Sequence, residues 1–491
     1  MGNSVDVKLN KKDRERRDSI LNKSLWKVLF AILVPIAMYN FLTFLFGVFD
    51  LKIVSMFPND PKDSVAFFDE IKNAISAFGG GFAAGGAVIV ANLYGEGKID
   101  EARKNAGVVL ILTTIISVGL ILLTVVGVIP LLKLIGFDAN IINEGSGYFY
   151  IQVATTALTA INVVFIGLEK SKGNTRSIFL LNIAVAVIKV GLTLFVVFVL
   201  KLQTLEWVAA TTLIAQLVLT IIAIFSMFSK KNIFRINLKD LSFNKRYIKQ
   251  MFIISIPVIF GKFIMSFGKI IVNLFATMFY GAEVLSALTI TYKANLGFGA
   301  LANSVEEAEM SIISQNVGNK SPKRGFKTVK IGVIYTLIIT IVGVIVITLL
   351  ADPAVKFFIS KPTTSDPALW DIYYQKVAMA KTILSYERFS MLTTALIGTF
   401  LGGFYGFRMT KISYGINFVR LFIFRIPVLF ILYYGFSGIT GPNAIGLTML
   451  ISNTATALLV GGLFISYYFR HKNTQFQEFL TVDSNGLLIE E

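Results

Sequence analysis

The side chains in this chain that could do chemistry are few, mostly charged, and set in apolar surroundings. There is no cysteine, which removes thiol nucleophiles, thiolate metal sites and disulfides. The one histidine, His471, falls in the polar C-terminal stretch, so an imidazole base or a His-ligated zinc is all but excluded. No Walker-type loop offers a nucleotide site. An enzyme is therefore disfavoured, and no catalytic residue, metal or cofactor is expected. What remains is a set of ionisable groups inside long apolar runs. A charge within a membrane span is costly and stands against a partner or a wet cavity, so these groups suit ion coupling, proton transfer or substrate contact. Protonating Asp50 would remove a buried charge, with burial and neighbours setting where that happens; the bland alternative is a helix-end carboxylate paired with Lys52. Lys189 is mid-span, and Asn182 lies seven residues earlier on the same face, which places it toward a lumen. Deprotonation of a buried lysine would serve equally as the titration event.

The second half of the chain carries more of these groups. Lys262 and Lys269 are seven apart and share a helix face, Lys293 begins the next span, and Glu306, Glu307 and Glu309 lie further along it. Glu387 and Arg388 fall in a later span, and Arg420 and Arg425 in the one after. A network joining Lys262 and Lys269 to Glu306 and Glu309 is the economical reading, because unpaired charges here are expensive. It fits an interhelical latch as well as a proton relay or substrate contact.

The elements that position these groups are apolar helices. Of 491 residues, 55% are hydrophobic and only 15% charged, against roughly 25% in a soluble protein, and the mean hydropathy is +0.71. A spanning helix needs about 20 mostly apolar residues. About twelve candidates follow: 25–49, 66–94, 105–132, 142–168, 177–200, 207–228, 249–279, 285–316, 328–351, 372–402, 411–435 and 444–469. An even count puts both termini on one side. The loops on that side carry thirty Lys and Arg and the opposite loops six, which makes it cytoplasmic. The net charge of +17 is thereby explained by topology and headgroup contact, and no nucleic-acid partner is expected.

An internal repeat divides the chain. Residues 34–56 lie over 256–278 with Pro35 over Pro257; 91–107 lie over 314–332 with Gly95 over Gly318; and Pro130 pairs with Pro353. The offsets are 222, 223 and 223 residues. The sequence thus reads as a basic tail 1–24, a six-helix half 25–228, a basic linker 229–248, a second six-helix half 249–470 and a tail 471–491. The N-terminal tail and the acidic end TVDSNGLLIEE (481–491) read as solvated. Six is even, so both halves insert in the same sense. The expected fold is an all-α polytopic membrane protein of about twelve transmembrane helices, in two parallel-repeat six-helix halves around a central cleft.

An ordered set of segments resembles the multidrug and toxic compound extrusion (MATE) family of the multidrug, oligosaccharidyl-lipid and polysaccharide flippase superfamily. GGGFAAGGAVIVANLYGEGKIDEARKNAG (79–107) is similar to its second-helix signature, with a small-residue helix, a Gly-x-Gly turn and an acidic-Ala-Arg helix start. Pro35 with Asp50 resembles its first helix and acid. LIGFDANIINEGSGYFYIQ, KGNTRS (172–177, with Asn174 for Asp) and FRIPVLFILYYGFSGITG resemble later segments. The resemblance covers about residues 25–470. It implies that Asp50 is central to cation coupling in the N-terminal half. Fifth helices of the family often carry Asn and Asp four apart; here Lys189 and Thr193 stand at those positions. The missing acid favours H+ over Na+ as coupling ion, and Lys189 could stand in for the cation. In the second half the acids of some members are replaced by Met265 and, roughly, Ser390.

The resemblance implies a secondary active exporter of amphiphilic small molecules, working by proton- or sodium-coupled antiport with alternating access. It would be a monomer in the plasma membrane, with lipids as its other partners. The basic lean of the second half suits instead a flippase for an anionic lipid or lipid-linked substrate. The missing acids suit a degenerate transporter fold acting as a scaffold or receptor. Tyr39, Phe41, Phe44 and Phe46 are candidates to line an amphiphile pocket.

Overall fold

A computed structural model describes residues 10–54, 56–57, 62–134, 139–237, 244–359, 361–362, 365–436 and 438–473. Fifteen α-helices carry most of the described residues, with no strand among them. The first half comprises α1 (Lys11–Asn22), α2 (Leu25–Val54), α3 (Lys62–Glu96), α4 (Ile99–Leu134), α5 (Ala139–Ser171), α6 (Thr175–Leu194) and α7 (Leu205–Phe228). The second comprises α8 (Lys245–Tyr280), α9 (Ala282–Gly318), α10 (Pro322–Leu349), α11 (Ala351–Phe358), α12 (Pro367–Gly406), α13 (Thr410–Phe418), α14 (Ile426–Gly435) and α15 (Gly441–Asn473).

Eleven of these segments are long and apolar enough to cross a membrane. The remaining long helix, α9, has 37 residues, about 55 Å at 1.5 Å each. Its Glu306, Glu307, Glu309 and Lys293 dilute its hydropathy, yet it completes the expected set of twelve. The outward faces of the bundle are apolar: Leu123, Val126, Phe225 and Leu458 are each more than 70% exposed, as lipid-facing side chains should be.

The repeat is written into the backbone. Pro35 and Pro257 sit at matching places in α2 and α8. Gly97 ends α3 in a left-handed turn at φ 82°, and 223 residues on Lys320 adopts φ 55° after α9. Gly173 after α5 (φ 76°) is matched by Arg408 after α12 (φ 66°). Turn geometry has thus outlasted side-chain identity. The fifth spans correspond as well. Each opens as a regular helix and widens into a π turn, at Phe195–Val199 after α6 and at Val419–Arg425 between α13 and α14.

The halves meet across reciprocal helix pairs. The apolar face of α2, including Leu29, Leu33 and Ile36, packs on Val305, Ala308 and Ile312 of α9. The face of α8 packs on α3. A Cβ at Gly81 would lie 2.9 Å from the Ile259 Cα, and one at Gly85 2.9 Å from the Ser255 Cα, so only glycine permits this approach.

Two expectations are corrected. Residues 11–22 are not a solvated tail but helix α1, capped by Asn10, whose Oδ1 accepts from Asp13 N at 2.8 Å. The Arg17 guanidinium donates to the carbonyls of Tyr94 and Gly95 at 3.0 and 2.7 Å, and Tyr94 Oη donates to Asp13 O. Arg324 at the start of α10 donates to Ile20 O and Lys23 O, so α1 bridges the two halves. His471 is in the last turn of α15, buried and edge-on to Tyr467 at 4.3 Å. Its polar neighbours in sequence hid that packing. Of the expected linker, Ile233, Phe234 and Ile236 are buried; residues 238–243, like 474–491, lie outside the described residues.

Candidate functional site

Three groups of polar side chains lie inside the bundle. The first is in the N-terminal half. Lys189 on α6 donates to Asp50 Oδ2 on α2, and the side chains are 13% and 24% exposed. The other carboxylate oxygen, Oδ1, is buried without a hydrogen-bond partner. One turn on, Thr193 Oγ1 bonds Thr211 Oγ1 of α7 at 2.9 Å. Asp69 and Lys72 of α3 pair at 2.6 Å, and Tyr148 Oη donates to Asp69 at 3.0 Å. The alternative pairing of Asp50 with Lys52 is not made: the Lys52 ammonium lies 5.9 Å from the Phe357 ring centroid. Asn182 does not join this group either. Its amide bonds back to Ile178 O of its own helix at 2.8 Å, because a short amide on a helix reaches the preceding turn more easily than a neighbour.

The second group lines a cavity of about 140 Å³ between the halves. Its walls are mostly small and apolar on α3 and α5, and its polar lining includes Lys170, Lys262, Glu306, Glu307 and Tyr405, with Ser171, Ser311 and Ser314 at one end. Lys170 of α5 donates to Glu307 of α9, an ion pair that crosses from one half to the other. The same ammonium lies 5.5 Å from the centroid of Tyr39. A side chamber of about 50 Å³ opens inside the first half, lined by Ser76, Ser117, Thr156 and Thr159; it shares Gly80 and Val163 with the main cavity.

Beyond Ala91, Ser171 and Ser314 the cavity ends in a polar plug. Ser311 Oγ donates to Lys170 O and Gln315 Nε2 to Ser171 O, both at 2.7 Å. Asn92 Nδ2 donates to Ser314 O at 3.2 Å, and Arg408 donates to Asn92 Oδ1. At the centre, α3 and α9 touch backbone to backbone. A Cβ at Gly95 would lie 2.1 Å from Gln315 O, and one at Gly318 2.0 Å from Asn92 O. Both pairs carry the same 223-residue offset, so they are one contact repeated by the pseudo-twofold.

The expected network of Lys262 and Lys269 with Glu306 and Glu309 is not formed. Three glutamates at i, i+1 and i+3 leave a helix in different directions, at about 100° per residue. Glu306 faces the cavity beside Lys262. Glu307 turns to the other half and takes Lys170. Glu309 points into its own half, fully buried, with neither oxygen hydrogen-bonded; a Cβ at Gly332 or Gly402 would strike it. Lys269 is exposed two turns along α8, and Lys293 is half-buried on α9. Arg388 donates to Ser385 O and to Thr348 Oγ1 of α10 at 3.2 and 3.0 Å. It ties α12 to α10 and reaches no lumen. Of the aromatics, Tyr39 stands at the cavity ion pair, Phe44 packs against Gly297 of α9, and Phe41 is 36% exposed.

The third group is only half legible in the sequence. Arg420 and Arg425 are 6% exposed, on the π turn in the middle of the eleventh span. Arg420 donates to Asn453 Oδ1 at 2.8 Å and Thr394 Oγ1 at 3.2 Å, and reaches Met265 Sδ at 3.8 Å. Arg425 donates to Ser452 Oγ at 3.2 Å and to the same Asn453 oxygen at 2.6 Å. Asn453 in turn donates to Ser390. The other residue the sequence conceals is Lys170. Its place near a basic turn makes it look like a topology signal, whereas α5 runs on to Ser171 and carries it inside.

Comparison with known proteins agrees with this architecture. The MatE family model matches residues 35–195 and 257–431, once in each half. An uncharacterized transporter, YisQ, of Bacillus subtilis (strain 168) is 19% identical over 343 residues, which is 69% of this chain and 74% of that one. An outward-facing multidrug resistance MATE transporter of the MOP superfamily superposes with a TM-score of 0.83 at 17% identity, covering 95% of this chain and 100% of the other. A MOP superfamily transporter from Pyrococcus furiosus Vc1 (DSM3638), described as having a binding pocket of reversed polarity, superposes with the same score and identity over 94% and 98%. A repeated six-helix half, a cleft between the copies and a family model that matches each copy lead to one conclusion: the chain belongs to the MatE family of membrane transporters.

Proposed function

We propose that this transporter exports amphiphilic small molecules across the plasma membrane by proton-coupled antiport, with both termini in the cytoplasm. The observation that carries the coupling is the Asp50–Lys189 pair, which joins α2 to α6 inside the membrane. A proton arriving at Asp50 removes the carboxylate charge and with it the attraction that holds the two helices together. Lys189 is then a buried ammonium without a counter-charge, an unfavourable state that α6 relieves by moving. Loss of the proton restores the pair. Sodium fits this site poorly, because the Lys189 ammonium already occupies the position against the carboxylate, and Thr193 and Thr211 satisfy each other.

Export requires the cleft to open to one side at a time. The plug formed by Asn92, Gln315 and Arg408 closes the cavity toward the face bearing α1, which the excess of Lys and Arg assigns to the cytoplasm. An apolar cavity with a few charged groups suits an amphiphile. The scaffold reading is weakened by the cavity, which a collapsed interior would have lost.

The test is transport into proteoliposomes, under an imposed pH gradient, of a fluorescent amphiphile, either cationic (rhodamine 6G) or anionic (an NBD-labelled dodecyl phosphate). Wild type should accumulate the dye, Asp50→Asn should abolish accumulation, and a sodium gradient alone should drive none. Equal dye movement by Asp50→Asn, or movement that ignores the pH gradient, overturns the coupling scheme.

A further inference from the structure

The C-terminal half holds two guanidiniums near the membrane midplane for which it supplies no ion-pair partner among the described residues. Arg420 and Arg425 lie 10 and 15 residues into a span that runs from Thr410 to Gly435, about 15 and 22 Å along its axis. All their hydrogen bonds go to neutral atoms: Asn453, Thr394, Ser452 and the Met265 sulfur. Two guanidiniums carry about ten N–H donors, and these bonds use five. The nearby carboxylate, Glu387 of α12, makes no ion pair with either within 4 Å, and its own Oε1 is buried without a partner. A buried polar cluster with spare donors and a net positive charge suits a ligand of the opposite sign.

The repeat shows what is missing. In the first half the fifth-span cation, Lys189, is answered by Asp50. Adding the 222-residue offset to Asp50 gives Val272, which is buried. The second half therefore keeps a cation on its fifth span and has valine where the carboxylate would stand. The cluster borders the half's interior through Met265 and Thr394, both half-buried, and Met265 shares a face of α8 with the cavity lysine Lys262.

From this we infer that Arg420 and Arg425 form an anion-binding site that takes the carboxylate or phosphate head of the transported amphiphile. The inference rests on the transport reading above and narrows its substrate class. The head replaces the missing carboxylate, with Arg420 and Arg425 donating to it from the π turn. The tail extends past Met265 toward the apolar walls of the cleft. Glu387 repels the head and keeps the site from holding it too tightly, as release requires.

The test is scintillation-proximity binding of tritiated dodecyl phosphate to the purified full-length protein. Unlabelled dodecanoate, dodecanol, dodecyltrimethylammonium, inorganic phosphate and chloride serve as competitors. Dodecanoate should compete; dodecanol and dodecyltrimethylammonium, with the same tail, should not. Arg420→Gln and Arg425→Gln should each weaken binding about ten- to hundred-fold, the loss expected for a charged hydrogen bond. Glu387→Gln, which keeps both arginines, should tighten it. Equal binding in all variants, or binding weakened by Glu387→Gln, overturns the site. Competition by inorganic phosphate or chloride at the same concentration as dodecanoate means a resident counter-ion and overturns the substrate assignment. If the Arg→Gln proteins do not elute as a single species, Glu387→Gln and Arg420→Lys decide, the latter expected to retain part of the affinity. Gradient-driven uptake of tritiated dodecyl phosphate into proteoliposomes, run beside the dye assay, separates the two readings. Gradient-driven dye transport without anion binding overturns this site alone. Anion binding without any gradient-driven transport leaves the site and overturns the exporter.

Discussion

At the scale of single residues, charge pairing decides what each substitution does. Asp50 and Lys189 are both largely buried, so removing one leaves the other desolvated. Asp50→Asn should therefore cost about 3–5 kcal/mol of stability, and Asp50→Asn with Lys189→Met should recover most of it. Thermal denaturation in a mild detergent reads both; an Asp50→Asn protein that melts with wild type would sink the pairing. That Lys189 is a buried charge is legible in the sequence, because it is flanked on both sides by enough apolar residues to carry it below the membrane surface, whereas Asp50, one residue past the span 25–49 and two before Lys52, is singled out only by the family resemblance. Which way Glu306, Glu307 and Glu309 turn is not legible there, since that depends on the roll of α9 against α2, α3, α10 and α12. Nor does sequence separate Lys170 from the basic residues around it. Loop lysines and cavity lysines look alike until the helix end is known, and α5 ends three residues later than its apolar run.

At the scale of elements, the glycines of α3 and α9 set how closely the halves approach. Gly95→Ala and Gly318→Ala place a methyl within about 2 Å of a carbonyl oxygen on the opposing backbone, where no side chain can swing aside. Each should open the plug and lower the melting temperature by several degrees, the shift about 1–3 kcal/mol produces. Gly47→Ala on α2, with nothing within 4 Å of the added carbon, should change nothing. Equal melting of Gly95→Ala and Gly47→Ala would show the contact to be slack. Helix α1 is illegible in sequence, because KKDRERRD looks like solvated charge. It is helical because Arg17, Tyr94 and Arg324 tie its backbone to both halves. Arg324→Ala should thus expose residues 11–22 to limited proteolysis from the face that carries α1; cleavage no faster than in wild type would refute that role. The helices themselves, their number and the repeat are legible, because apolar length and a constant offset survive when side-chain identity does not.

At the scale of the whole molecule, the absence of cysteine makes sidedness directly measurable. Ala84→Cys, in the cavity wall, should react with a membrane-impermeant maleimide from the side opposite α1 and not from the α1 side. Lys320→Cys, exposed beyond the plug, should react only from the α1 side. Reaction of Ala84→Cys from both sides would mean that the plug does not close the cleft.

The paired glycine–carbonyl contact has a further consequence for fidelity. Gly95 on Gln315 and Gly318 on Asn92 are images of each other under one rotation, so a rocking motion that keeps the two-fold relation between the halves lengthens both by the same amount. No intermediate keeps one and loses the other. The closed end of the cleft is therefore either whole or open, and leakage past it needs both contacts to fail in the same event. A doubled chain gains by symmetry a safeguard that a single lock between unlike surfaces would lack.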